Sequence, residues 1–129
     1  MTWHPRGVLD DRLLDEIAYF THTLDHIVEA PFDRFIDLSG LAEIHLKVEH
    51  VFEIAEERKT SHAGLAKVKS AVYSDKIIGF GVARMYETLM EGSSIDVLAF
   101  RVRSAAAAWL GVPIKLLDDV DNPETETFL

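Results

Sequence analysis

Cysteine is missing from all 129 residues, which removes disulfides, thiolate metal sites and cysteine nucleophiles together. Its absence fits a reducing compartment, and the cytoplasm is the expected location. The chain does not open on a basic run followed by an apolar one, so no secretory signal is predicted. No apolar stretch reaches the roughly 20 residues of a membrane span. Base is scarce as well: 13 Lys and Arg stand against 22 Asp and Glu, for a formal net charge of −9. Residues 118–129 carry −5 of that charge (Asp118, Asp119, Asp121, Glu124 and Glu126, with no base), leaving −4 on the body. Nucleic-acid phosphates and anionic lipid surfaces both need clustered Lys and Arg. Neither a nucleic acid nor a membrane is therefore expected as a partner.

What is present is an ordinary globular composition, 48% hydrophobic and 27% charged, in a chain long enough for one domain. Its organising stretch is residues 33–58. Phe35, Ile36 and Leu38 form a short apolar run, the mark of a strand buried on both faces, and Ser39-Gly40 ends it. A polar loop to His45 follows, then a helix whose Val48, Val51, Phe52 and Ala55 recur at helical spacing. Before it, Thr2-Trp3-His4 reads as a short strand stopped by Pro5. Asp10 or Asp11 then caps a helix with a stripe of Leu13, Ile17, Phe20, Leu24, Ile27 and Val28. After it, a strand over residues 67–73 sends Val68, Ser70 and Val72 to one face and Lys69, Ala71 and Tyr73 to the other. Ser74-Asp75 opens a third helix with Ile78, Val82, Met85, Tyr86 and Leu89 as its stripe. A strand over residues 95–100 and a short helix capped by Ser104 complete the alternation, with Gly64, Gly92 and Gly111 as terminators. The pattern predicts an α/β fold: a small, mainly parallel sheet of three to four strands joined by βα crossover helices. A single domain is expected over residues 1–117, with an acidic, disordered tail over 118–129.

Asp37-Leu38-Ser39-Gly40-Leu41, followed by Ile44 and a helix, resembles the signature of STAS domains. Lys69-Ser70-Ala71-Val72, residues 80–86 (FGVARMY), residues 97–100 (VLAF) and residues 107–113 (AAWLGVP) resemble the SpoIIAA-like, or STAS/Sec14-like, branch of that superfamily. The resemblance spans about residues 33–113 and implies a regulatory or protein-interaction module without catalysis. It also marks two departures. STAS antagonists place a phosphorylatable Ser or Thr at the start of the helix after the loop, whereas His45-Leu46-Lys47 has no hydroxyl there. The family's opening strands are short here, so either the sheet is small with one exposed edge, favouring a homodimer, or strands are missing in front.

Ligands of parallel α/β sheets collect outside the carboxyl ends of the strands, near helix N-termini. That rule selects Ser39, Gly40 and His45 in the first loop, Tyr73, Ser74 and Asp75 in the second, and Arg101 and Arg103 in the third, a set able to take a small anion. The plainer reading makes the serines and Asp75 caps and leaves the arginines in solvent. Gly79-Phe80-Gly81 lacks the third glycine of a dinucleotide fingerprint and predicts close helix–sheet packing instead. His22 and His26 are one turn apart on a solvent face, without the H-E-x-x-H pattern, so no metal is expected. Asp37 reads as an acceptor that fixes its own loop. No catalytic residue and no cofactor are assigned. The leading expectation is a protein partner meeting the loop from Ser39 to His45 and the acidic helix face of Glu49, Glu53, Glu56 and Glu57. The alternative is a small anionic or lipid-like ligand in an apolar pocket beneath the third helix, near Phe80, Met85 and Tyr86. A third, weaker reading is an enzyme using the strand-end loops.

Overall fold

In the computed structural model, which describes residues 1–119, the apolar alternation resolves into six strands and four helices. In chain order they are β1 (Thr2–Trp3), β2 (Gly7–Asp10), α1 (Asp11–Ile27), β3 (Arg34–Asp37), β4 (Leu41–His45), α2 (Val48–His62), β5 (Val68–Tyr73), α3 (Ile77–Leu89), β6 (Ile95–Phe100) and α4 (Arg103–Leu110), then a 3-10 turn over Ile114–Leu117. The main sheet has the order β1-β3-β5-β6 and every neighbouring pair is parallel. The expected α/β class and parallel sheet are both present. Residues 120–129, where most of the expected tail falls, lie outside the described residues.

Alternation along β5 sorts the two faces as its sequence predicts. Val68 and Val72 join Leu9, Leu38, Leu41, Ala55, Ala83, Ile95 and Val97 in a core shared with α1, α2 and α3. Ala71 and Tyr73 turn to the other side and pack with Phe35, Ala106, Ala107 and Leu117 beneath α4. Lys69 also points there, donating to the Trp109 carbonyl at 2.8 Å with its ammonium 5.2 Å from the indole. The first helix is capped by Asp10, whose Oδ1 accepts from the Leu13 amide at 2.9 Å. Gly111 closes α4 in the left-handed region at φ +73°, where a Cβ would be strained.

Three expectations are corrected. Leu41–His45 is not a loop: it is β4, in parallel register with β2, a strand the sequence reading did not anticipate. The helix stripes are also rotated. Val48 and Phe52 face solvent, while α2 buries Val51, Ile54, Ala55, Arg58 and His62. Phe20 and Ile27 of α1, Val28 just after it, and Ile78 of α3 are likewise exposed. Finally, Ser74 and Ser104 are not helix caps. The residue before α3 is Lys76 and the one before α4 is Val102, and neither side chain caps its helix. Ser74 is fully buried and its Oγ accepts from the Lys76 amide at 3.1 Å.

Gly79 shows why that serine matters. A Cβ at Gly79 would collide with Ser74 Oγ and Cβ, so glycine is what lets α3 settle onto the end of β5. At Gly81 a Cβ would meet nothing within 4 Å. Close packing is therefore a property of the first glycine alone. One of the two edges of the sheet, β6, is partly covered: Glu87 of α3 accepts from the Ala99 amide at 2.8 Å. A second copy pairing at that edge would have to displace Glu87.

Candidate functional site

Both strands of the β1–β3 pair break at the same level and resume as a second pair, β2–β4. Pro5, which has no amide to donate, and Gly7, at φ +75°, make the first break. Ser39-Gly40 makes the second. Asp37 fixes it, its Oδ1 accepting from the Ser39 amide at 2.8 Å and from the Ser39 hydroxyl. Its Oδ2 faces His4 Nδ1 at 3.3 Å. A Cβ at Gly40 would come within 2.9 Å of Arg6 Nη1, so glycine makes room for that guanidinium.

The double break opens a polar cleft of about 380 Å³ at the carboxyl ends of the strands, roofed by the start of α4 and the end of the described chain. Arg103 Nη2 donates to Asp118 Oδ1 at 2.6 Å. Arg6 Nη2 donates to Asp119 Oδ2 at 2.7 Å. Arg103 Nε and His4 Nε2 are buried and have no hydrogen-bond partner. With Asp118 and Asp119 seated, the two arginines face three carboxylates, counting Asp37. With that segment lifted, the cleft would turn net positive on a strongly acidic protein.

Of the residues selected from sequence, the fold gathers Ser39, Gly40 and Arg103 in this cleft. Tyr73 lies behind it, buried, stacked on Phe35 at 6.1 Å. Burial raises its hydroxyl pKa above the usual tyrosine value, the nearby Asp75 and Asp37 add to that, and Arg103 opposes it. Ser74 serves the backbone, and Asp75 is exposed. Arg101 stands apart with its guanidinium 5.5 Å from the Phe80 ring. His45 is also apart, at the exposed end of β4, with Nε2 at 2.6 Å from Glu43. Glu49, Glu53 and Glu56 are all exposed on α2. Sequence reasoning missed His4, Arg6, Asp118 and Asp119. The flanking of Pro5 by a histidine and an arginine was the available signal.

Ser39, His4 and Asp37 are the residue types of a nucleophilic triad, but their order is wrong for one. The carboxylate sits between the other two, so the serine proton is directed to Asp37 and not to an imidazole that would abstract it. Among the described residues of the cleft, the Ser39 hydroxyl is therefore held by a carboxylate and not by an imidazole. No group of three or more His, Asp or Glu side chains suited to a metal lies among the described residues, and no helix there is long and apolar enough to cross a membrane.

Comparison with family models, with curated proteins and with solved structures finds no match. The likeness to STAS domains thus rests on the residues quoted for it.

A second polar group lies at the opposite, amino-terminal end of the sheet. Arg34 of β3 holds Asp25 of α1 through two bonds of 3.1 and 2.7 Å. Arg58 of α2 donates to the same carboxylate at 2.9 Å. Their side chains are 2%, 4% and 4% exposed for Arg34, Arg58 and Asp25. Burial pushes the Asp25 pKa up, but the hydrogen bonds and charges of the two arginines outweigh it and hold it below the usual carboxylate value. His62 lies beside them, its Nδ1 at 2.7 Å from Ser94 Oγ, and burial lowers its pKa. No sequence rule applied above pointed here.

Proposed function

We propose that this chain is a STAS-like, non-catalytic module of the cytoplasm that docks an acidic segment of a partner protein in the cleft between His4, Arg6, Ser39 and Arg103. The observation that carries the reading is the occupant already there: consecutive carboxylates, Asp118 and Asp119, each on its own arginine. A charge-assisted pair of that kind is about twice as strong as a neutral hydrogen bond and selects an anion by sign and spacing. The chain's own segment thus acts as a resident competitor. Regulation by phosphorylation at the start of α2 is not part of the proposal, because His45, Leu46 and Lys47 offer no hydroxyl.

Fluorescence anisotropy with a labelled peptide spanning residues 113–122 of this chain tests the idea. The Asp118→Asn/Asp119→Asn protein should bind the peptide about tenfold more tightly than the native protein, and adding Arg6→Ala/Arg103→Ala should abolish the gain. Charge reversal at Glu49, Glu53 and Glu56 should leave it intact, separating the cleft from the helix face. Equal binding by the native, asparagine and arginine-less proteins would remove the cleft as a docking site.

A further inference from the structure

The layer of α1, α2 and α3 does not close completely over the sheet. Between them lies a cavity of about 100 Å³, walled by Ile17, Ile36, Val51, Ile54 and Val72 and reached on its polar side by Arg34, Arg58 and Tyr86. An apolar space of that size is comparable to engineered cavities that take up small organic molecules. What distinguishes this one is the charge at its end. Two guanidiniums share a single carboxylate, Asp25, so one positive charge in the buried group has no counter-ion, and His62 adds no negative charge. Arg34 also donates to the Phe32 carbonyl at 3.0 Å and the Tyr86 hydroxyl lies against the Arg58 side chain, yet Arg34 Nε and Arg58 Nη1 themselves have no hydrogen-bond partner, on side chains almost wholly removed from solvent. An unpaired buried charge is among the most expensive arrangements a protein interior can hold, and buried donors left over call for a missing acceptor.

We infer that this cavity is a binding site for a short-chain aliphatic carboxylate, its two oxygens meeting Arg34 Nε and Arg58 Nη1 and its chain lying among Ile17, Val51 and Ile54. A carboxylate supplies both what the arginines lack and what the walls accept: one negative charge, two acceptor atoms and an apolar tail. The volume sets the length at about four to six carbons. A long-chain lipid does not fit that space. The site differs from the docking cleft in place, in occupant size and in needing a tail, and neither depends on the other.

The test is isothermal titration of the full chain with sodium carboxylates from acetate to decanoate. Affinity should rise about fourfold per methylene up to four to six carbons and then fall, with one site per chain. The primary alcohol matching the best acid should bind about tenfold more weakly or worse. Ala18→Leu, which enlarges a side chain on the cavity wall and keeps both arginines, should abolish binding while the protein stays folded by circular dichroism. Arg58→Met, which leaves Arg34 and Asp25 as a neutral pair, should lose the preference for acid over alcohol. Arg6→Ala/Arg103→Ala should change nothing. No saturable binding, binding without chain-length dependence, alcohol equal to acid, or binding that survives Ala18→Leu would each overturn the inference.

Discussion

Two pairs of arginines sit at opposite ends of the same sheet, and their surroundings set what each can do. Arg34 and Arg58 are buried and converge on one carboxylate, whereas Arg6 and Arg103 are 55% and 32% exposed and hold one carboxylate each. In water the second pair can exchange partners at little expense, since screened ion pairs are worth at most about 1 kcal/mol. In the interior the first pair cannot, because stripping solvent from an ion costs several kcal/mol and only its partners repay it. The same residue type is thus partly exposed and paired one to one at one end, and a buried node sharing one carboxylate at the other.

The widest gap between the two ends should appear on removing a carboxylate. Asp25→Ala strands two buried guanidiniums and should destabilise the fold by about 3–5 kcal/mol in urea unfolding. A loss near 1 kcal/mol would mean that the node is as wet as the cleft. Acid should show the same contrast. Asp25 has a folded pKa below its unfolded value, so its contribution is present above about pH 4 and lost as pH falls through the folded pKa. Asp25→Asn should erase that low-pH limb.

Next in size are two glycines of one helix that divide in the same way. Gly79→Ala drives a Cβ into buried Ser74 and should cost about 1–3 kcal/mol. Gly81→Ala meets open space and should stabilise the protein by about 0.5–1 kcal/mol through helix propensity.

The histidines carry the contrast with opposite signs. Burial lowers the His62 pKa, so its contribution is present above about pH 6.5 and fades as pH falls through the folded value. At the more accessible His50, burial also pulls the pKa down, but the Asp15 hydrogen bond, with Asp11 and Glu53 nearby, raises it overall. Its contribution is full below about pH 6.5 and is lost as pH rises through the folded value. Melting temperatures of His62→Asn and His50→Asn across pH 5–8 should therefore deviate from native in opposite directions. Parallel shifts would show that burial is not the deciding difference.

The smallest effect should come from Asp118→Asn/Asp119→Asn, about 1 kcal/mol or less and fading as salt is added. A larger, salt-insensitive loss would mean that the segment is part of the core and not a removable occupant.

The strand-end rule found Ser39, Gly40 and Arg103 because it depends only on where parallel strands stop. It could not find Arg6, whose place depends on β1 and β3 breaking together, a relation between segments far apart in the chain. Arg58 was hidden for another reason. Assigning the buried stripe of α2 to apolar residues alone selects Val48, Val51, Phe52 and Ala55; Val51 and Ala55 are buried as read, but the rest of the stripe is Ile54, Arg58 and His62. A partner on a different helix, Asp25, is what makes an arginine acceptable in the core. Arg34 at the head of an apolar run was the visible clue, since a charge at the start of a buried strand needs an explanation.

Local pattern alone was enough for the α/β class, for the alternating faces of β5 and for an aspartate cap at Asp10 or Asp11, because each follows from side-chain period or from hydrogen bonds a few residues apart. Tertiary structure alone decided the β2–β4 pair, the cleft with its resident aspartates and the unbalanced charge beside the cavity. Each of these brings together residues distant in sequence, and pairing, burial and counter-ions exist only once the chain has folded.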